Sequence, residues 1–115
     1  MKGKRPKKAL WSEAELEVLV EEATIDCYNE SEQVCGLYTM MENDLALPFE
    51  TKIMGIAVVV EQIDLTERDE IIAICKREAK RQRIALLDLP LPSPPPAGAQ
   101  WIAAYRHWAG EARGD

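Results

Sequence analysis

The sequence predicts an α+β domain: two N-terminal helices, a small antiparallel β-sheet or SH3-like barrel of four to five strands, and a C-terminal helix. Three observations predict it. Apolar residues recur at helical spacing from Leu16 to Leu45. The period then changes to β-branched and apolar runs after Phe49, and an aromatic-faced segment follows a proline-rich stretch near the end. At 115 residues, 47% hydrophobic and 30% charged, the chain has the length and composition of one globular domain.

Ser12 with Glu15 three residues later is a capping-box pattern, and Leu16, Leu19, Val20, Ala23 and Cys27 continue it as a helix over residues 12–29. Ser31 is placed to cap a second helix that turns Val34, Leu37, Tyr38, Met41 and Leu45 inward and ends before Pro48. Gly36 within it costs up to ~1 kcal/mol relative to Ala, so it marks a close approach of another backbone, with Cys35 beside the contact.

The strands are read at Thr51 to Met54, Ile56 to Asp64, Glu70 to Arg77 and Arg83 to Leu89, with Gly55 bending the first pair and Thr66 to Asp69 forming a polar turn. A sheet this small needs its edges closed or covered, hence the barrel. Leu89 to Gly98 (LPLPSPPPAG) is a stiff proline arm that straps the last helix to the body. In that helix Trp101, Ile102, Tyr105 and Trp108 share a face, and Gly110 ends it. The organisation is thus a basic leader (1–11), one domain (12–110) with its strap at 89–98, and a short tail (111–115).

Charge narrows the function. The net charge is −6, but residues 9–51 contain eleven acids and no Lys or Arg, whereas residues 52–115 balance nine bases against nine acids. Such a segment repels phosphate backbones and anionic lipid, so the folded body is a poor candidate for nucleic acid or membrane surfaces, with no nucleic acid and no membrane insertion expected, and a cation is favoured as partner. No apolar run approaches the ~20 residues that span a bilayer. The leader Lys2 to Lys8 is not followed by the apolar stretch of a secretory signal, and three cysteines without C-x-x-C spacing are read as reduced core residues. The expected location is the cytoplasm.

Catalytic signatures are missing. The one histidine, His107, has no recognisable nucleophile partner and is read as a surface or partly packed residue, and no phosphate-binding glycine motif occurs. The chain is read as a binding protein, not an enzyme. Hard carboxylate oxygens in excess, with few soft ligands, favour calcium over zinc or copper. No EF-hand is present: Asp26 and Glu30 match its first and fifth positions, but Tyr28 falls between them, Ser31 stands where glycine is needed and Leu37 where the closing glutamate belongs. Any site is therefore discontinuous.

The run Asp26-Cys27-Tyr28-Asn29-Glu30-Ser31-Glu32-Gln33, then Gly36, Glu42 and Leu47-Pro48-Phe49-Glu50, resembles the CcbP-type family of small bacterial calcium-binding proteins. Similarity extends to the valine-rich strand after Gly55, the Ile84 to Leu89 segment and the closing helix, about residues 16–109. The resemblance implies a compact α+β domain that takes up Ca²⁺ without an EF-hand, to buffer or sense the ion in a bacterial cytoplasm. By matching position it implies Asp26, Glu30, Glu32, Glu42 and Asp44 as metal ligands. The Lys-rich leader and the longer proline arm depart from the family pattern. The alternative reading is a protein-interaction module that uses the small barrel or the arm, whose Pro92-x-x-Pro95 fits a polyproline ligand.

Overall fold

A computed structural model describes residues 10–112, with side chains described to residue 110; most of the basic leader and the Arg113-Gly114-Asp115 tail lie outside that range. Helix α1 (Glu13–Ala23) begins as expected. Ser12 Oγ accepts from the Glu15 N–H at 3.1 Å, and Glu15 Oε1 accepts from the Ser12 N–H at 2.8 Å. Ser12→Ala removes the acceptor and is expected to cost about 1 kcal/mol, read as a lower midpoint in thermal melts with no change in far-UV spectrum.

The helix ends six residues before the expected boundary. Thr24 leaves helical geometry at φ −112°, its hydroxyl donates to the Val20 carbonyl at 2.7 Å, and Asp26 takes the left-handed φ of 64°. A side chain that competes for the carbonyl of residue i−4 weakens the last turn. Helix α2 (Glu30–Asp44) is capped by Asn29, not Ser31: Asn29 Oδ1 accepts from the Glu32 N–H at 2.8 Å. Gly36 does mark a close approach, with the Ala23 carbonyl lying where a Cβ would stand; the neighbouring cysteine is Cys27 rather than Cys35.

Strands β1 (Phe49–Ile53), β2 (Ile56–Leu65), β3 (Ile71–Arg77) and β4 (Lys80–Ala85) form one antiparallel sheet in chain order. This is the sheet of the predicted α+β class, but it is open: β1 and β4 are its edges and do not pair, so no barrel forms. A bulge between Val60 and Gln62 bends β2. The last strand starts three residues earlier than its apolar run suggests, because the basic Lys80 to Arg83 pairs fully with Ile74 to Arg77. Leu86–Asp88 is a single 3-10 turn rather than strand.

One face of the sheet carries Phe49, Val58, Val60, Ile63, Ile71, Ala73, Cys75 and Ile84 into the core against Val34, Leu37 and Met41 of α2 and Trp101, Ile102, Ala104 and Tyr105 of α3 (Ala99–Ala112). Gly110 does not end α3; the helix runs on to Ala112. α1 packs on α3 and α2. Only Cys75 is a core cysteine; Cys27 is half-buried and Cys35 exposed, all three as free thiols.

The proline arm is tied at both ends. Leu89 is 1% exposed, Thr51 Oγ1 donates to the Pro90 carbonyl at 2.6 Å, and the Ala46 N–H donates to the Ala97 carbonyl at 2.9 Å. From α3, the Arg106 guanidinium donates to the carbonyls of Leu86 and Leu89; burial lowers its pKa and nearby Asp88 opposes that shift. Among the described residues no helix is long and apolar enough to cross a membrane.

Candidate functional site

The five expected ligands divide into two groups. Asp26 lies in the α1–α2 corner, Glu30 and Glu32 in the first turn of α2, and Glu42 and Asp44 in its last turn. At 1.5 Å rise per residue, Glu30 and Asp44 start about 20 Å apart along one helix axis, so the two groups do not share an ion. Because α1 stops at Ala23, Asp26 and Glu30 do not form a repelling row on one helix. Glu30 and Glu32 instead sit at an N-terminus, where the helix dipole favours negative charge.

Several of these carboxylates already have structural work. Glu32 Oε1 accepts from the Tyr28 N–H at 2.7 Å, so with Asn29 it closes the start of α2 in the manner of a capping box. Half of the Asp26-to-Gln33 motif is thereby accounted for as a helix-start signal. Asp44 Oδ2 accepts from Trp101 Nε1 at 2.8 Å, locking the end of α2 to α3. Glu42 stands beside Tyr38, whose phenol has its pKa raised by burial first and by the Glu42 charge second. Asp26 and Glu30 are exposed.

The eleven acids of residues 9–51 are all exposed. Among the described residues one of them has a basic neighbour, Glu17, whose Oε2 is 3.7 Å from His107 Nε2. Of the two readings of His107, surface or partly packed, the structure shows the packed one: its side chain is 12% exposed. The fold also brings Glu30 to a cleft of about 300 Å³ shared with Arg68, Asp69 and Glu70 of the β2–β3 turn and floored by Tyr105 and Trp108. Nothing in the sequence connects Glu30 with Asp69 and Glu70, which are some forty residues away. The Thr66 hydroxyl holds that turn by accepting from the Arg68 and Glu70 N–H groups, both at 3.2 Å.

These acids do not form a chelate. Among the described residues, no three His, Cys, Asp or Glu side chains are grouped as they would be around a metal ion. No protein-family model, curated protein or solved structure matches the chain. The chemistry of the site therefore rests on its own residues: exposed hard oxygens at a helix N-terminus and an adjoining turn, able to attract a hydrated dication and requiring side-chain rotation to ligate it directly.

Proposed function

We propose that the protein binds Ca²⁺ weakly through exposed carboxylates at the α1–α2 corner, Asp26 and Glu30 first, with Glu32 close by. The observation that carries this reading is that, among the described residues, none of the eleven acids of residues 9–51 has a Lys or Arg partner. Like charges held close together on a fold lose their mutual repulsion when a dication joins them. The family resemblance of the Asp26-to-Glu50 segment supports the choice of calcium. Glu42 and Asp44 belong to a separate location, and Asp69 and Glu70 line the same cleft as Glu30.

With no three-ligand group among the described residues, the affinity is expected in the roughly micromolar to millimolar range, below that of a caged site. Magnesium, which keeps its own water, is expected to bind more weakly still. Calorimetric titration with CaCl₂, with MgCl₂ as control, is expected to show calcium-specific heat and a raised melting temperature. The Asp26→Asn, Glu30→Gln double variant should weaken binding about tenfold, the loss of ~1.4 kcal/mol of attraction. No heat and no melting shift at millimolar calcium would sink the proposal. The alternative, a proline arm offered to another protein, has less support because the arm is bonded to β1 at Pro90 and to the end of α2 at Ala97.

A further inference from the structure

The cleft that Glu30 lines has a fixed aromatic floor as well as charge. Tyr105 and Trp108 stack with ring centroids 6.1 Å apart and planes 18° apart. Each ring is held by a residue that does not line the cleft: Trp108 Nε1 donates to Gln33 Oε1 at 2.8 Å, and the Ile71 N–H donates to the Tyr105 hydroxyl oxygen at 3.4 Å. Val34 and Leu87 add an aliphatic wall. At about 300 Å³ the space lies at the small end of the range for small-molecule sites.

Four charged side chains stand around that floor: the carboxylates of Glu30, Asp69 and Glu70 and the guanidinium of Arg68, three negative charges against one positive. They do not pair with one another. Among the described residues the ion pairs are Arg81 with Glu61 and His107 with Glu17, so Arg68 enters the cleft without a carboxylate partner. A guanidinium is a planar two-pronged donor to a carboxylate, carboxylates accept from ammonium and guanidinium groups, and an indole attracts a cation or its aliphatic stem. From this set we infer that the cleft binds a small zwitterion of net positive charge, the chemistry of a free basic amino acid. Its carboxylate meets Arg68, its cationic groups meet Glu30, Asp69 and Glu70, and its stem lies on Trp108. Phosphate esters and dicarboxylates bring further negative charge to three acids and are disfavoured. The inference does not rest on the calcium reading, although Glu30 serves both.

Proton–nitrogen NMR spectra of the nitrogen-labelled full chain, titrated with L-arginine in EDTA, test this. Trp108→Phe identifies the Trp108 indole signal by its loss. That signal is expected to shift saturably with a Kd of roughly millimolar, and agmatine, which lacks the carboxylate, should bind about tenfold more weakly. Arg68→Gln should weaken arginine about tenfold and leave agmatine unchanged, whereas Asp69→Asn with Glu70→Gln should weaken both. Asn tolerates the left-handed φ of 62° at position 69, so the turn survives that change. No saturable shift at tens of millimolar arginine, an equal shift with NaCl at the same ionic strength, or an Arg68→Gln variant that binds arginine as the wild type does would each overturn the inference. Calcium titration of the same variants reads the other proposal separately: a missing arginine shift beside intact calcium heat removes this inference alone.

Discussion

Truncation after Leu89 is expected to abolish cooperative folding. The shortened chain loses the arm and α3, and with them Trp101, Ile102, Ala104 and Tyr105, which are 0–4% exposed in the core. Full burial of each of the three large side chains stabilises by roughly 1.5–3 kcal/mol, so their joint loss is about 5–9 kcal/mol against a typical domain total of about 5–15. Further losses follow in the residues that stay. α1, which packs on α3, loses most of its support, and the carbonyls of Leu86 and Leu89 lose the Arg106 guanidinium. Thermal melts and one-dimensional proton spectra check this: the truncated chain should show no cooperative transition and no dispersed methyl signals. A truncated protein that still melts cooperatively would make arm and helix peripheral, and would revive the reading of the arm as a ligand for another protein.

That expectation already follows from composition, because the aromatic face of Trp101, Ile102, Tyr105 and Trp108 is too apolar to be left in water. The same logic makes the other elements legible. The Ser12 capping box and the inward run Val34, Leu37 and Met41 are local patterns, and the structure repeats them. What misled were places where a non-local partner or a short-range competitor decided the outcome. Thr24 ends α1 through its own hydroxyl, although the apolar spacing continues to Cys27. Lys80 to Arg83 is an edge strand, whose solvent-facing side needs no apolar residue to mark it. Barrel closure depends on how four strands twist and on what covers their edges, and no single segment encodes that.

The candidate site was less legible than the fold for a related reason. Acids were visible as a bias in composition, but a binding geometry is a set of distances between segments. Asp26, Glu30 and Glu32 are close in sequence, yet among the described residues no three such side chains are grouped as around an ion. Glu42 and Asp44 belong to the same motif run, yet a straight helix carries them away. Asp69 and Glu70, which the sequence assigns to a turn and a strand start and not to the ligands, reach the cleft that Glu30 lines through the β2–β3 turn. The Asn29 and Glu32 pair shows the converse, in which a motif suggestive of ligands also serves as the cap that starts a helix.

Gly98→Ala is expected to be the most damaging single substitution outside the apolar core. Gly98 has φ +86°, where an L side chain costs about 1 kcal/mol. An added Cβ would also lie 2.3 Å from the Asp44 carbonyl oxygen and 2.6 Å from Leu45 Cα, both backbone atoms at the end of α2 that have no rotamer by which to withdraw. Overpacking of this kind adds about 1–3 kcal/mol, so the total is roughly 2–4 kcal/mol, a fall of at least about 8 °C in melting temperature. Gly55→Ala is the matched control. Gly55 has φ +81° but nothing within 4 Å of the added atom, so it should lose only the conformational part, about 1 kcal/mol. The difference between the two variants isolates the contact between the arm and α2. Trp101, whose indole donates to Asp44 and whose N–H donates to the Gly98 carbonyl at 3.1 Å, reports it directly. Its fluorescence should shift to the red in Gly98→Ala and stay unchanged in Gly55→Ala. Equal losses in both variants would mean that the arm yields at Asp44, and that α3 is held to the body by its aromatic face alone.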